Sequence, residues 1–172
     1  MTAPPPFRLE ALGDHDRARF ACGEDVLDRY FQTQVTQDIR RRLTNCFVAV
    51  ERATETVAGF YTLSAAGIAM VDLPPELIKR LPRYPTLPAI RIGRLAVDSG
   101  FHGKGLGGAL LMDAAARARP SAAAAYALLV DAKSDAAVAF YEHHGFRRLA
   151  NAPRTLFLPL ATAEKALQSA KQ

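Results

Sequence analysis

The stretch Arg94-Leu-Ala-Val-Asp98, followed after two residues by Phe101-His-Gly-Lys-Gly-Leu-Gly-Gly-Ala-Leu-Leu111, decides the fold. A short apolar run, a glycine-rich segment and an alanine- and leucine-rich segment predict a strand, a loop and a helix in that order. Glycine lets backbone N–H groups point into one small cavity without side-chain clashes, and a helix start adds unpaired donors and a positive dipole end. Such an arrangement binds phosphate groups, and a pyrophosphate in particular.

Two other phosphate-binding folds share parts of this pattern. Gly103, Gly105 and Gly108 match the dinucleotide pattern G-x-G-x-x-G, with Asp131 about twenty residues farther on. However, about ninety residues precede the loop, and too little chain follows it to complete two βαβαβ halves, which disfavours a Rossmann fold. A P-loop is excluded because no Gly-Lys-Ser/Thr follows.

A second segment narrows the choice. Tyr126-Ala-Leu-Leu-Val-Asp131 predicts a buried strand, and Ser134-Asp-Ala-Ala-Val-Ala-Phe-Tyr-Glu-His-His-Gly-Phe146 predicts a helix capped by Ser134 and Gly145, then a strand. Together, the two segments resemble the GNAT acetyltransferase superfamily over about residues 90–150. The resemblance implies an α/β GNAT fold: a single mixed, mostly antiparallel twisted sheet of six to seven strands, flanked by about four helices.

The rest of the chain fits one GNAT domain over 1–172, with 1–6 as a flexible lead-in and 162–172 as a tail helix. Asp72 to Pro88 is a proline-rich excursion of the kind that often forms a lid or a substrate-binding segment. Strands are predicted at 7–12, 45–50, 57–63, 90–97, 126–131, 146–149 and 155–160. Helices are predicted within 23–43, where Leu27, Phe31, Val35, Ile39 and Leu43 form a core-facing stripe, and at 106–117.

Composition limits the classes of partner and compartment. The chain is 49% hydrophobic, enough for a sizeable core, and its net charge of +5 suits anionic partners such as coenzyme A, nucleic acid or an acidic protein. No apolar run reaches the roughly 18–20 residues of a membrane helix, and the first residues do not resemble a secretory signal. Cys22 and Cys46 supply no disulfide framework, and the histidines lack partners at metal-ligand spacing. We therefore expect a cytoplasmic protein with no membrane contact and no metal.

The GNAT resemblance also implies the donor and the residues that hold it. Acetyl-CoA would place its pyrophosphate on the glycine loop and its pantetheine arm along the preceding strand, and Tyr141 would protonate the departing thiolate. The family loop usually begins with Gln or Arg, whereas this chain has His102, which carries less charge at neutral pH. The expected coenzyme-binding residues are Leu95, Ala96, Val97, His102, Gly103, Lys104, Gly105, Leu106, Gly107 and Gly108.

No strong general base is evident near these segments. Glu142 follows Tyr141 directly and so lies roughly 100° around the helix from it. An α-amine has a pKa near 7.7–8.0, against about 10.4 for a lysine side chain, so much of it is already neutral at cellular pH. A site without a base therefore suits an α-amine substrate.

The N-terminal half points to one branch of the superfamily. The segment Phe20-Ala-Cys-Gly-Glu-Asp-Val-Leu-Asp-Arg-Tyr-Phe31, together with Gly93-Arg-Leu-Ala-Val-Asp98, resembles the GNAT toxins of type II toxin–antitoxin systems, over about residues 20–160. The resemblance implies acetylation of the α-amine of aminoacyl-tRNA, blocked translation, neutralisation by a ribbon-helix-helix antitoxin, and a homodimer. Basic residues would contact tRNA phosphates. The candidates are Arg40, Arg41, Arg42, Lys79, Arg80, Arg83, Arg91 and Arg94.

Two alternatives stay open at this point. One is a GNAT enzyme that acts on a small amine or a protein N-terminus, which an acidic rather than a basic substrate cleft would favour. The other is a coenzyme- or antitoxin-binding module without activity. His102 favours this alternative, whereas the intact loop glycines and Tyr141 disfavour it. The basic residues are also compatible with an ordinary solvated surface that binds no ligand.

Overall fold

The computed structural model describes residues 3–170, and within them seven strands form one sheet in the order β1-β2-β3-β4-β5-β7-β6. Neighbouring strands β1–β2, β2–β3, β5–β7 and β6–β7 are antiparallel, and β4–β5 is parallel. The predicted mixed, mostly antiparallel α/β sheet is thereby confirmed. The strands are β1 (Phe7–Ala11), β2 (Asn45–Glu51), β3 (Thr56–Ala69), β4 (Thr86–Val97), β5 (Ala127–Asp131), β6 (Arg147–Leu149) and β7 (Ala152–Pro159).

Short helices accompany the sheet. The region 23–43 forms α1 (Asp25–Arg29), a π-helical segment (Tyr30–Gln34) and α2 (Val35–Arg40). The others are α3 (Pro75–Ile78), α4 (Leu106–Ala118), α5 (Asp135–His143) and α6 (Ala163–Ser169), with 3₁₀ turns at Met70–Asp72 and Ser99–Phe101. None of the helices in residues 3–170 is long and apolar enough to cross a membrane.

The described chain separates into two compact units. The first comprises the chain up to Ser64 together with Arg94–Asp113, and the second comprises Ala65–Gly93 and the chain from Ala114 onward, so that β3 and β4 run through both. An aromatic cluster fills the first unit: Phe31 stacks on Phe60 with ring centroids 4.2 Å apart, and Phe20 packs edge-on against both rings. The core of the second unit comprises Ile68, Leu73, Leu87, Ala89, Ala127, Leu129, Leu149 and Phe157. The prediction of a single domain stays a prediction.

Three sequence predictions need correction. Leu43 is 61% exposed and does not belong to the core stripe, because α2 ends at Arg40 and Arg42 adopts a φ of +62°. Strand β3 continues to Ala69, beyond the predicted end, because its last part supplies Ile68 to the core of the second unit. The proline-rich excursion is shorter than predicted, since β4 already begins at Thr86. The excursion also contains the short helix α3.

Both ends of the described chain are attached to the fold. The carbonyl oxygens of Pro5 and Pro6 accept hydrogen bonds from the Arg52 side chain and backbone N–H, at 2.8 and 2.9 Å. At the other end, α6 lies within the predicted tail helix 162–172. The last two residues of that prediction lie outside the described range. The flexible lead-in stays a prediction.

Helix α5 has the two caps that the sequence predicts. The Ser134 hydroxyl accepts a hydrogen bond from the Ala137 N–H at 3.1 Å. At the other end Gly145 has a φ of +92°, and the N–H groups of Gly145 and Phe146 donate to the carbonyls of Glu142 and Tyr141, which is a Schellman motif. The motif fixes the end of α5 and brings Phe146 against the Tyr141 ring.

We expect Gly145→Ala to destabilise the protein. A Cβ at this position would lie 2.7 Å from the Ala166 Cβ, and the left-handed φ of Gly145 disfavours any residue with a side chain by about 1–2 kcal/mol. The free energy of unfolding, measured by denaturant titration, should fall by at least that amount. Gly13→Ala is the matched control, because a Cβ there meets no atom within 4 Å. Equal stability of the two variants would contradict this account.

Candidate active site

The loop between β4 and α4, in the first unit, contains two glycines in the left-handed conformation. Gly103 and Gly105 have φ values of +77° and +75°, a conformation that residues with a Cβ rarely adopt. A Cβ at either position would meet no atom within 4 Å, so the loop borders open space. Helix α4 begins at Leu106 immediately afterwards, and the first amides of a helix have no partner inside it. The loop therefore has the features that anion binding requires, and coenzyme contact by its residues stays a prediction.

The Asp98 carboxylate fixes the start of this loop. Its Oδ1 accepts a hydrogen bond from the Gly100 N–H at 2.9 Å, and its Oδ2 accepts one from the Ala21 N–H at 3.0 Å. The Ser99 N–H donates to the Ala21 carbonyl at 2.8 Å, and the Asp98 N–H donates to the Ala58 carbonyl at 2.8 Å. The Phe20–Gly23 motif therefore contacts the loop directly. The sequence contained Asp98 in a motif but gave no reason to assign it a role.

His102 folds back onto the end of β4. Its Nε2 lies 2.8 Å from the Val97 carbonyl oxygen, and because a carbonyl only accepts, this nitrogen carries the proton. A neutral His102 ring then offers only an Nδ1 lone pair to its surroundings, so a hydrogen bond from the ring to a phosphate requires the imidazolium form. Lys104 is exposed, with its ammonium 5.3 Å from the centre of the Phe101 ring.

Gly59 lets α4 and the backbone of β4 both lie close to β3. A Cβ at Gly59 would lie 3.1 Å from the Ala96 carbonyl oxygen and 3.2 Å from the Leu110 Cδ1, so even a methyl group would be crowded there. Ala96 itself is buried in the aromatic cluster, while Leu95 and Val97 are half-buried. Sequence reasoning did not single out Gly59, because a lone glycine in a strand carries no pattern of its own.

Arg94 packs inside the first unit, unlike a freely solvated basic residue. Its guanidinium carbon lies 3.5 Å from the centre of the Tyr30 ring, a cation–π arrangement. The Tyr30 hydroxyl donates to the Asp38 carboxylate at 2.8 Å, and burial, with this bond, raises the pKa of Tyr30. The backbone N–H of Arg94 donates to the Thr62 hydroxyl at 3.0 Å.

Tyr141 lies on α5 in the second unit and is only 7% exposed. Its ring packs edge-on against Phe140 and Phe146, with centroids 5.1 and 5.4 Å away. Burial raises the pKa of Tyr141 to about 12, and its hydroxyl has no hydrogen-bond partner within residues 3–170. The hydroxyl is therefore protonated at neutral pH and available to donate.

Two other reactive side chains, Glu142 in the second unit and Cys22 in the first, are disfavoured for catalysis. Glu142 is hydrogen-bonded to the Arg148 guanidinium at 3.0 and 3.2 Å, which lowers the pKa of Glu142 and makes it a weak base. Burial and the hydrogen bond with Asp28 raise the pKa of Cys22 to about 11, so its thiol is a poor nucleophile. The described residues contain no group of three or more His, Cys, Asp or Glu side chains that could hold a metal ion.

The predicted tRNA-binding residues fall in both units. Arg40, Arg41 and Arg42 are exposed in the first unit, and no carboxylate in residues 3–170 pairs with them. In the second unit Lys79, Arg80 and Arg83 are exposed, whereas Arg91 pairs with Asp131 at 3.6 Å. Because each unit carries its own set of exposed cations, contact of all of them with one ligand stays a prediction.

The comparisons with known proteins cover most of the chain. The acetyltransferase (GNAT) domain family matches residues 42–148. The chain belongs to the GNAT acetyltransferase family. It is 31% identical to a probable toxin TacT of Sinorhizobium fredii over 157 residues, which are 86% of this chain and 87% of that protein. It is 34% identical to a tRNA-acetylating toxin of Mycobacterium tuberculosis over 150 residues, which are 86% and 88% of the two chains.

Solved structures of GNAT toxins have the same fold. AtaT complexed with acetyl-methionyl-tRNAfMet has a TM-score of 0.82 and 27% identity, covering 92% of this chain and 98% of that chain. AtaTR bound with acetyl-CoA has a TM-score of 0.78 and 28% identity, covering 93% and 97%. A tyrosine-to-phenylalanine mutant of AtaT bound to the C-terminus of the antitoxin AtaR has a TM-score of 0.77 and 26% identity, covering 94% and 98%. Acetyl-CoA, the donor that the sequence predicts for this chain, is thus bound by a structural neighbour of the same family.

We expect Asp98→Ala to weaken acetyl-CoA binding selectively. The variant loses the two carboxylate–amide hydrogen bonds that hold the loop, and bonds to a charged group of this kind contribute about 1.5–3 kcal/mol each. The KM for acetyl-CoA should rise by about tenfold or more. Asp14→Ala is the control, since it removes the same charge from an exposed position. An unchanged KM for acetyl-CoA in Asp98→Ala would refute the assigned role.

Proposed function

We propose that this GNAT enzyme transfers acetyl from acetyl-CoA to the α-amine of aminoacyl-tRNA, and that it acts as the toxin of a toxin–antitoxin pair. The observation that carries the proposal is the 34% identity to a tRNA-acetylating toxin over 86% of the chain. The likeness to AtaT in complex with acetyl-methionyl-tRNAfMet supports the same substrate class. An acetylated α-amine cannot attack peptidyl-tRNA, so the reaction blocks translation.

The reaction makes few demands on this chain. The substrate amine attacks the thioester carbonyl, an N–C bond forms, the C–S bond breaks, and the proton lost by nitrogen is balanced by one gained at sulfur. A backbone N–H of Leu95, Ala96 or Val97 is our candidate for stabilising the oxyanion. The N–H groups of residues 103–108 are our candidates for holding the pyrophosphate. Tyr141, kept protonated by its burial, is our candidate for donating a proton to the departing thiolate.

The carboxylate next to Tyr141 in sequence is a weak base, which favours an α-amine as substrate. Glu142, the carboxylate next to Tyr141, is bound to Arg148 and its pKa is lowered. An α-amine, with a pKa near 7.7–8.0, reaches its neutral form without help, whereas a lysine side chain at about 10.4 does not. The substrate class proposed here therefore needs no group that the chain lacks.

The exposed cations fit a polyanionic substrate. Arg40, Arg41, Arg42, Lys79, Arg80 and Arg83 are exposed, and we propose that they contact tRNA phosphates and position the acceptor stem. Arg91 and Arg94 are weaker candidates for phosphate contact, because Arg91 pairs with Asp131 and Arg94 stacks on Tyr30. Binding through phosphates is strongly salt-dependent.

We further propose a ribbon-helix-helix antitoxin as protein partner, a homodimeric state and a cytoplasmic location. The complex of AtaT with the C-terminus of the antitoxin AtaR supports an antitoxin partner. Charged tRNA is a cytoplasmic substrate, and for that reason the enzyme should meet it there.

Replacing Tyr141 tests the proposed acid. Tyr141→Phe keeps the packing against Phe140 and Phe146 but removes the hydroxyl, so turnover should fall by about a hundredfold or more while acetyl-CoA binding is unchanged. Tyr126→Phe, which alters a half-buried tyrosine of the same unit, should retain full activity. Because burial raises the pKa of Tyr141 to about 12, the wild type should lose no turnover through ionisation of Tyr141 at pH values well below 12. Undiminished turnover of Tyr141→Phe would exclude the role.

The proposed substrate is tested directly by transfer from radiolabelled acetyl-CoA. A pool of charged tRNA should acquire label, whereas uncharged tRNA and free amino acids should not. Label on small amines or protein N-termini but not on charged tRNA would overturn the proposal and favour the other GNAT substrate class. Coenzyme binding is measured in parallel, so that an inactive preparation is recognised.

A further inference from the structure

One exposed ring stands out on the surface of the second unit. Tyr84 is 57% exposed, and it is the one aromatic residue among the large hydrophobic side chains that are exposed in residues 3–170. The others are Val26, Leu43 and Val71. Within the described chain, the Tyr84 ring contacts no other ring, and its hydroxyl has no hydrogen-bond partner. The ring therefore offers a free π-face to solvent.

Positive charge surrounds this ring in sequence. Lys79, Arg80 and Arg83 are exposed within five residues of Tyr84, and Lys79 and Arg83 pair with no carboxylate of residues 3–170. Glu76, the acid nearest to these cations in sequence, is hydrogen-bonded to Arg147, with a smaller electrostatic contribution from Arg80. The segment therefore keeps unneutralised cations next to an exposed aromatic ring.

The segment is also held in place. Leu77, Ile78 and Leu81 pack against the core of the second unit. The Met70 N–H donates to the Pro85 carbonyl at 3.1 Å, which ties the end of the excursion to its start. A ring on an ordered segment loses little conformational freedom when a ligand binds, which favours affinity.

We propose that Tyr84 stacks on an unpaired base at the 3′ end of the tRNA acceptor, while Lys79, Arg80 and Arg83 contact the adjacent phosphates. The inference rests on the proposed function and adds to it the residue that holds the single-stranded end. Proteins bind single-stranded RNA by combining aromatic platforms with positive charge, and this segment carries both. A purely electrostatic surface would need no exposed ring, and a protein-binding surface would favour apolar side chains over three exposed cations.

The test separates the ring from the charges. Tyr84→Ala should raise the KM for charged tRNA about tenfold, leave the KM for acetyl-CoA unchanged, and keep the salt dependence of the wild type. Tyr84→Phe should behave as the wild type, because it keeps the π-face. Val71→Ala, a matched change at an exposed apolar residue of the same unit, should have no effect. The triple variant Lys79→Ala, Arg80→Ala, Arg83→Ala should lower the slope of affinity against salt.

A binding measurement gives an independent readout. Fluorescence anisotropy compares a labelled RNA hairpin that carries an unpaired 3′ extension with the same hairpin lacking it, and Tyr84→Ala should weaken binding of the first only. The inference would be overturned if Tyr84→Ala bound each hairpin as tightly as the wild type does. It would also be overturned if Tyr84→Phe were as defective as Tyr84→Ala. In either case, label transfer to charged tRNA would still uphold the proposed function. Failure of the wild type to label charged tRNA would overturn the proposed function and the inference that rests on it. Failure of the wild type to bind either hairpin would overturn the inference alone.

Discussion

The β4–α4 loop has to present bare backbone N–H groups, and a loop built for that purpose cannot hold its shape with its own side chains. Glycine at 103 and 105 gives the left-handed turns but also the greatest conformational freedom of any residue. The Asp98 carboxylate resolves this conflict by binding the amide of Gly100 within the loop and that of Ala21 in a distant segment. The shape of the loop consequently depends on residues more than seventy positions apart in the chain.

A comparable constraint acts on Tyr141. The Schellman motif at Gly145 ends α5 at a fixed position, and it brings Phe146 against the Tyr141 ring. The same glycine lies so close to Ala166 that no side chain fits between α5 and α6. A group that donates a proton needs a defined position and a defined protonation state, and here the glycine provides the first and burial provides the second.

The sequence predicted those features that are local. The positions of the last strands along the chain, both caps of α5, the glycine loop and the start of α4 follow from short patterns, and all of them agree with the structure. Features that depend on distant contacts were missed: the anchor between Asp98 and Ala21, the close approach at Gly59, and the stacking of Arg94 on Tyr30. Leu43 shows the limit of periodicity, since its spacing fits the stripe although the helix has already ended.

In the proposed function, different charged residues serve catalysis and substrate capture. Glu142, the carboxylate next to the proposed proton donor in sequence, is neutralised locally by Arg148. Cations at Arg40–Arg42 and Lys79–Arg83 are instead left largely without partners in the described chain, although unpaired like charges repel one another. Binding of a polyanionic ligand, as we propose, would offset this repulsion between the cations. In the proposed function, these surface cations supply the affinity for RNA.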